Sequence, residues 1–185
     1  MAQPFEIRLL TPDDAKACVA LRREMLADSP WAFAASDNAD PGVDIDAVKK
    51  RLCDPAHASV GAWDANGNLL GVASLRREHH AKMAHRAKVW GVYVTPKARG
   101  SGAGRAIMLH VLDVARTWQG VTSVGLSCSE RAVAARRMYE SIGFRVWGRE
   151  PKALVCDGVA YDEYHLVYTF EAEASYTSWA SYAPA

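Results

Sequence analysis

The chain has 185 residues, of which 50% are hydrophobic and 23% are charged, and its formal net charge at pH 7 is +1. This length and composition are typical of one globular domain with a full-sized hydrophobic core. A nearly neutral chain has no overall field that would hold nucleic acid or an anionic membrane surface. We therefore predict neither as a partner, with a local basic patch left open.

The cysteine content and the N-terminal sequence both bear on the compartment. Four cysteines without a CxxC motif are present, Cys18, Cys53, Cys128 and Cys156. We interpret them as small buried thiols in a reducing compartment. The first residues lack the basic and then apolar pattern of a signal peptide, and no apolar run approaches the ~20 residues of a membrane span. These features predict a cytoplasmic protein.

Hydrophobic periodicity and turn residues predict eleven elements. In chain order they are a strand over 5–10, a helix over 11–28, a helix over 44–53, strands over 58–63, 69–77 and 88–95, a helix over 102–118, a strand over 121–127, a helix over 132–142, and strands over 144–148 and 161–170. Thr11 and Pro12 fit the start of the first helix, and Ser29-Pro30 ends it. Asn66-Gly67-Asn68 predicts a hairpin turn.

This order predicts the fold class. Three consecutive strands exclude a pure βαβ repeat, so we expect an α+β fold with a mixed sheet of six to seven strands and about four helices. We assign 1–170 to a single domain and 171–185 to a C-terminal tail. The tail is rich in alanine, serine and aromatic residues, and its contact with a second copy in a homodimer is possible.

A glycine-rich turn stands between the strand that ends near Thr95 and the next helix. Its sequence, Arg99-Gly100-Ser101-Gly102-Ala103-Gly104-Arg105, exposes backbone N–H groups at the positive end of a helix dipole, which suits pyrophosphate. It is not a P-loop, because no Gly-Lys-Ser/Thr follows, and its glycine spacing differs from GxGxxG. A helix start that binds no ligand is the remaining alternative.

Two motifs carry a resemblance to a known family. The Arg99-x-x-Gly102-x-Gly104 stretch after Val92-Tyr93-Val94 resembles motif A of the GNAT acetyltransferases, which grips the pyrophosphate of coenzyme A. Ala135-Arg136-Arg137-Met138-Tyr139-Glu140-Ser141-Ile142-Gly143-Phe144 resembles their motif B. The resemblance covers about residues 5–170 and implies the GNAT fold, with acetyl-coenzyme A as co-substrate.

The resemblance also implies roles for individual residues. A splayed strand pair would expose the backbone of Val92, Tyr93 and Val94 to the pantetheine arm, and residues 99–105 would hold the pyrophosphate. Tyr139 matches the family tyrosine near the thioester sulfur, which is the general acid. The cofactor contacts so implied are Val92, Tyr93, Val94, Arg99, Gly100, Ser101, Gly102, Ala103, Gly104, Arg105 and Tyr139.

The sequence departs from the family at two places. Ala132 stands where many members have an asparagine that contacts the cofactor, so Ser129 or Glu130 would replace that bond or it is lost. Lys88-Val89-Trp90-Gly91 offers no carboxylate where many members carry a glutamate base. The general base is therefore open, with Glu24, Asp162 and Glu163 as candidates, and Glu24 is our catalytic candidate beside Tyr139.

Other residues bear on the acceptor and on a metal. Trp31 and Phe33 would line an acceptor cleft, and the cluster of Asp157, Asp162 and Glu163 would attract a cationic amine or serve as plain surface charge. Glu78-His79-His80 with His85 fits no standard metal-ligand spacing, so we predict no metal site.

The predicted reaction is direct attack of a neutral amine on the acetyl thioester, with no acyl-enzyme, because none of the cysteines lies in a nucleophile motif. We expect a small-molecule primary amine as acceptor. A protein N-terminus, a lysine side chain, or a non-catalytic acyl-coenzyme A-binding module are the alternatives.

Overall fold

A seven-stranded mixed sheet forms the centre of the molecule, in a computed structural model that describes residues 5–35 and 40–170. The strands are β1 (Glu6–Leu9), β2 (His57–Trp63), β3 (Leu69–Arg77), β4 (Arg86–Val94), β5 (Ser123–Ser129), β6 (Arg145–Cys156) and β7 (Val159–Thr169). The helices are α1 (Ala15–Asp28), α2 (Ile45–Leu52), α3 (Ala103–Thr117) and α4 (Val133–Ser141). Single helical turns lie at Pro12–Asp14, Pro30–Ala32, Pro41–Val43, Ala81–Met83 and Pro96–Ala98.

The strand order across the sheet is β1-β2-β3-β4-β5-β7-β6. β4 and β5 pair in parallel, and the other neighbours are antiparallel. The predicted order of elements and the α+β class with a mixed sheet are therefore confirmed. The tail over 171–185, and any homodimer contact made through it, lie outside the described residues.

The ends of α1 follow from local chemistry. The Asp14 carboxylate accepts hydrogen bonds from the Thr11 N–H at 2.8 Å and from the Arg8 guanidinium at 2.8 Å. These contacts fix the chain just before α1, where a negative charge also complements the helix dipole. At the other end, the Ser29 N–H still bonds to the Met25 carbonyl, and the Pro30 turn then redirects the chain.

The core lies mainly between α3 and the sheet. Ile107, Met108 and Val111 of α3 have no exposed surface and pack against the central strands. Val114 and Trp118, which we predicted on the same buried stripe, are only partly buried at its border. A second, smaller cluster joins Leu21 and Met25 of α1 to the opposite face of β4.

Two irregularities of β4 shape the site. The register moves from Ser74 opposite Trp90 to Val72 opposite Tyr93, so β4 carries one extra residue, a β-bulge in which Gly91 has a φ of +61°. β4 and β5 pair only as far as Lys88 opposite Gly125 and then separate. The predicted splay of neighbouring strands is thus present, and it opens a gap beside residues 89–94.

The last hairpin differs from the prediction. We expected strands over 144–148 and 161–170, but β6 continues to Cys156 and β7 begins at Val159. The predicted end at Gly148 was wrong. β6 can continue through Pro151 because it is an edge strand, where a proline leaves no sheet hydrogen bond unmade. A register shift between Glu150 and Leu154 accommodates the proline.

Candidate active site

A cavity of about 530 Å³ lies beside the gap between β4 and β5, bounded by the start of α3 and by α4. Ten of the eleven residues that we predicted to contact the cofactor line it: Val92, Tyr93, Val94, Arg99, Gly100, Gly102, Ala103, Gly104, Arg105 and Tyr139. Ser101 does not, since its hydroxyl turns back to donate to the Ala98 carbonyl at 2.7 Å and accepts from the Ala103 N–H. The fold therefore brings two motifs that are distant in sequence to one cavity.

The glycine turn offers free donors and free space. Gly100 and Gly102 have φ values of +79° and +89°, which favour glycine, and a Cβ built on either would meet no atom within 4 Å. Within residues 5–35 and 40–170, the N–H groups of Gly100, Gly102, Gly104 and Arg105 find no acceptor. Such converging donors at the start of a 15-residue helix are suited to pyrophosphate.

Arg99 is held in place by contacts with the protein. Its Nε donates to the Val94 carbonyl at 3.1 Å, and its terminal nitrogen pairs with the Asp28 carboxylate at the end of α1. The guanidinium also lies 5.6 Å from the centre of the Tyr93 ring. Half of the Arg99 side chain remains exposed along the cavity, so it adds positive charge there, although a phosphate would have to compete with Asp28 for direct contact.

A second cavity, of about 460 Å³, opens on the other side of the β4 bulge. It runs between β4, β5 and the β6–β7 hairpin, and Phe33, Trp90 and Leu154 form its apolar walls. Phe33 agrees with our expectation for an acceptor cleft, whereas Trp31 lines the first cavity. Trp31 is held there by the Arg131 guanidinium, 4.9 Å from the centre of its ring.

Tyr139 lies where the two cavities meet. Val92, Phe33 and Tyr139 line both of them, so a group bound in one cavity can reach a group bound in the other. The Tyr139 side chain is buried, and its hydroxyl makes no hydrogen bond within the described part of the chain. Burial raises the pKa of Tyr139 well above its usual value, with nearby Cys128 as a lesser cause. Its hydroxyl therefore stays protonated and is available as a donor.

Carboxylates line the second cavity on the side of the hairpin. Glu163 is half-buried, lies opposite Ser129 of β5 and opposite Glu150 of β6, and forms no ion pair within the described residues. The Glu150 carboxylate bonds to the His165 ring at 2.9 Å. One carboxylate oxygen each of Glu150 and Glu163 and a ring nitrogen of His165 all lie within 4.8 Å of one another. This wall is acidic, as a site for a cationic amine requires, and the role of Glu163 stays a prediction.

The other predicted carboxylates lie elsewhere. Glu24, our catalytic candidate, does not line the second cavity; its carboxylate accepts a hydrogen bond from the Tyr93 hydroxyl at 3.2 Å. Asp162 is bound to Arg149 at 2.7 Å and to the Lys152 N–H. Asp157 lies at the tip of the hairpin. The alternation of side chains along β4 explains why Glu24 is away from the cavity. Tyr93, to which Glu24 is bound, points to the α1 face, while Val92 and Val94 point to the α3 face.

Two positions bear on the departures from the family pattern. Ala132 lines both cavities, as the family asparagine would. Two residues could replace the hydrogen bond that the asparagine makes to the cofactor. Glu130 is already bound to Arg149 and to the Asp162 N–H. Ser129, a buried residue of the second cavity, is the candidate that remains. At the position of the family base, Lys88 lines the cavity instead of a carboxylate.

Several lining residues were missed by sequence reasoning. Glu150 and Leu154 lie in the part of β6 that we did not predict, although the Asp157-Gly158 pair is a strong hairpin signal that would have extended both strands. Cys128 also lines the second cavity, where burial raises the pKa of its thiol to about 11. A protonated thiol is a weak nucleophile, which agrees with transfer without an acyl-enzyme.

The sequence matches the Acetyltransferase (GNAT) family over residues 20–144, which is more than half of the chain. The chain belongs to this family. The resemblance drawn from the two motifs is therefore confirmed, and the chain is an acetyltransferase. Among the described residues, no helix of this GNAT protein is long and apolar enough to cross a membrane.

Curated relatives place the chain among acetyltransferases with different acceptors. It is 29% identical to N-alpha-acetyltransferase RimI of Mycobacterium tuberculosis over 144 residues, which are 77% of this chain and 80% of that protein. It is 31% identical to mycothiol acetyltransferase of Thermobispora bispora over 151 residues, 78% of this chain but 48% of that protein. The chain likewise spans only 39% of a Mycobacterium leprae relative, so several relatives are much longer than the matched region.

Solved structures share the GNAT fold. The Salmonella typhimurium protein yncA, solved with its cofactor acetyl-CoA, superposes with a TM-score of 0.78 at 20% identity and covers 94% of this chain and 98% of its own. At this identity the likeness establishes the fold, and the membership of the family rests on the family match.

Proposed function

We propose that this chain is an acetyl-coenzyme A-dependent N-acetyltransferase that transfers the acetyl group directly to the primary amine of a small molecule in a ternary complex. The observation that carries the proposal is the meeting of two cavities at Val92 and Tyr139. One offers the donors that a pyrophosphate needs, and the other offers an acidic wall that a cationic amine needs. All four cysteines are free, which agrees with a cytoplasmic location for the reaction. The expectation of buried thiols holds fully only for Cys128, since Cys53 is exposed.

The residues of the first cavity fit coenzyme A. The four free N–H groups of the glycine turn would bind the pyrophosphate, with Arg105 nearby as a positive charge. From Val89 onward β4 no longer pairs with β5, so the backbone of Val92 to Val94 would bind the pantetheine arm as a missing strand does. Bound acetyl-coenzyme A would supply the acetyl thioester at the junction of the cavities.

Three groups of the protein then act at that junction. Tyr139 would donate its proton, or a strong hydrogen bond, to the thiolate that departs. A backbone N–H of the unpaired part of β4 would stabilise the negative charge on the acetyl oxygen. Holding both reactants in adjoining cavities would supply much of the rate through proximity. Both cavities are required for this, and a module that only binds acyl-coenzyme A would have no use for the second.

Glu163 is the base that we propose. An amine with a pKa of ~10 is about 0.1% neutral at pH 7, so a group that removes a proton is valuable. Glu163 combines three properties among the described carboxylates of the cavity: it is half-buried, it forms no ion pair, and it lies beside Ser129 at the open end of β5. Glu150 is already bound to His165. Glu163 would act directly or through one water.

The test is release of thiol from acetyl-coenzyme A in the presence of amines. The panel contains small amines, amino acids, polyamines and short peptides that end in a free α-amino group or carry a lysine. We expect turnover with a small amine and steady-state kinetics of a ternary complex. Turnover with peptides alone would instead assign a protein acceptor, and tight coenzyme binding without turnover over the whole panel would overturn the proposal of an enzyme for small amines.

A further inference from the structure

A small, partly open cavity of about 30 Å³ lies between α1, α2 and the sheet, apart from the reaction centre. This volume has room for about two water molecules or the two oxygens of a carboxylate. The hydroxyls of Ser59 and Ser74, both buried, face it and bond to each other at 2.9 Å. Two guanidinium groups, of Arg22 and Arg51, also line it. The cavity thus combines apolar walls with two hydroxyls and two arginines, of which Arg22 is paired with Asp40.

Arg51 is the unusual member of this cavity. Its Nε is buried and has no hydrogen-bond acceptor, and within the described ranges its guanidinium forms no ion pair. It lies 5.0 Å from the centre of the Trp90 ring. Burial lowers the pKa of Arg51, but an arginine remains charged at neutral pH. A charge that is partly removed from water without a partner is costly, so it calls for an explanation.

The neighbours of Arg51 do not neutralise it. Asp40 is the carboxylate that acts on it, but both Asp40 oxygens are in use: one accepts from Arg22 Nε at 2.5 Å and the other from the Gly42 N–H at 2.8 Å. Cys18 also lines the cavity, and burial raises the pKa of its thiol to about 11. Cys18 is therefore uncharged at neutral pH, and the Arg22–Asp40 pair leaves Arg51 with a net positive charge.

The small cavity adjoins the proposed acceptor cavity. Arg22, Trp90 and Gly91 line both. Gly91 directly precedes Val92, which lines the junction where the amine would react. An acceptor whose amine lies near Val92 could therefore extend past the Gly91 bulge and place a second group against Arg51. That group must be anionic and small.

We infer that the acceptor of this enzyme carries a carboxylate as well as a primary amine, and that Arg51 binds this carboxylate. The inference rests on the proposed function and names its substrate class, an amino acid. The two ends of such a zwitterion match the two ends of the site, because Glu163 and Glu150 lie on the hairpin side and Arg51 lies on the α2 side. The apolar walls formed by Phe33 and Leu154 would contact the carbon skeleton between them.

The experiment measures binding rather than turnover. Protein saturated with coenzyme A, which has no acetyl group to transfer, is titrated in a calorimeter with amino acids and with their amides, which keep the amine and lose only the negative charge. The acids are glycine, β-alanine, 4-aminobutyrate, L-leucine and L-phenylalanine, so that the spacing of the two groups and the side chain both vary. We expect at least one acid to bind about ten-fold or more tightly than its amide.

Variants of α2 then assign the preference to one residue. Arg51→Met keeps an unbranched apolar stem and removes the guanidinium. The acid should then bind no more tightly than its amide, and thermal stability should not fall, because the variant removes an unpaired charge. Arg51→Lys should keep part of the preference. Lys50→Met is the matched control, since Lys50 is exposed on the same helix, and it should behave like the wild type.

Three results would overturn the inference. The wild type could bind acids and amides with equal affinity, it could bind no acid at all, or its preference for the acid could survive Arg51→Met. The proposed function is judged separately by thiol release. Acids that bind through Arg51 but are never acetylated would reject the enzyme assignment for them, whereas rapid acetylation of amines without regard to a carboxylate would reject only the role of Arg51.

Discussion

Glu163 lies directly opposite Ser129 in the antiparallel register of β5 and β7, which places a half-buried carboxylate at the open end of the gap beside β4. If it removes the proton from the amine, Glu163→Gln should lower kcat/KM by about 10²-fold or more. The variant should also lose the acidic limb of the profile of kcat/KM against pH, because that limb reports the ionisation of the base. Initial rates of thiol release from pH 5 to 9 provide the measurement.

Glu24→Gln is the control for this experiment. Glu24 accepts a hydrogen bond from Tyr93 and does not line the acceptor cavity, so its amide variant should keep both the rate and the limb. A limb that persists in Glu163→Gln and follows the pKa of each acceptor amine would show that the amine enters already neutral.

The glycine turn predicts a specific loss of coenzyme affinity. Gly102 has a φ of +89°, and open space surrounds the position of a Cβ. Gly102→Ala should therefore cost about 1–2 kcal/mol of unfolding free energy from its left-handed backbone, and it should weaken coenzyme A binding because a methyl group enters the space of a phosphate oxygen. Calorimetric titration with coenzyme A and chemical denaturation measure the two effects.

Gly67→Ala separates strain from binding. Gly67 has a φ of +77° and equally open surroundings, but it lies in the β2–β3 turn. It should show a similar loss of stability with unchanged coenzyme affinity. If Gly102→Ala binds coenzyme A as tightly as the wild type does, this turn is not the binding site of the pyrophosphate.

Tyr139 allows a test that changes one atom. Tyr139→Phe removes a hydroxyl that lies at the junction of the cavities without a protein partner in the described ranges. We expect kcat to fall by about 10²-fold or more, with the affinity for coenzyme A nearly unchanged. Tyr168→Phe, which loses a hydroxyl bonded to Arg116 and outside both cavities, should leave kcat intact. Wild-type kcat in Tyr139→Phe would assign this tyrosine to core packing.

The ion pair of Arg8 and Asp14 predicts how stability depends on pH. The hydrogen bonds from Arg8, followed by those from Thr11, lower the pKa of Asp14 from 3.8 to about 2. A depressed pKa in the folded state means that this stabilisation is complete above pH ~4 and is lost as the pH falls toward ~2. Asp14→Asn should lower the unfolding free energy at pH 6 and flatten its decline over that window. Asp13→Asn, at the exposed neighbouring position, should change neither the unfolding free energy at pH 6 nor its decline at low pH. Denaturant unfolding at several pH values measures both quantities.

The parts of the fold that local chemistry controls could be predicted from the sequence. Thr11 and Pro12 mark the single helical turn that leads into α1, which begins four residues later than predicted. The glycines at 100 and 102 mark a turn that only a left-handed backbone can make. The hydrophobic periodicity of α3 likewise fixed the main core helix to within one residue at each end. These signals act between residues that are close in sequence.

The acceptor site could be predicted only in part, because its walls come from separate elements. Glu24 lies behind Tyr93 on the α1 face of β4, whereas Glu163 reaches the cavity because β7 lies beside β5, and both placements follow from the strand order. Arg51 appears in the sequence as one of several basic residues of α2. The absence of an ion-pair partner for Arg51 among the described residues becomes visible only when Asp40 is seen to be occupied by Arg22.

The position of the β6–β7 hairpin has a consequence for the evolution of such an enzyme. β6 is an edge strand with one neighbour, and it carries Glu150 and Leu154 of the acceptor cavity. In contrast, the glycine turn leads directly into α3, and Tyr139 belongs to α4. Both helices pack against the core. Substitutions or insertions in the hairpin disturb few other contacts, so descendants of this scaffold can acquire a new acceptor there while they inherit the acetyl donor site unaltered.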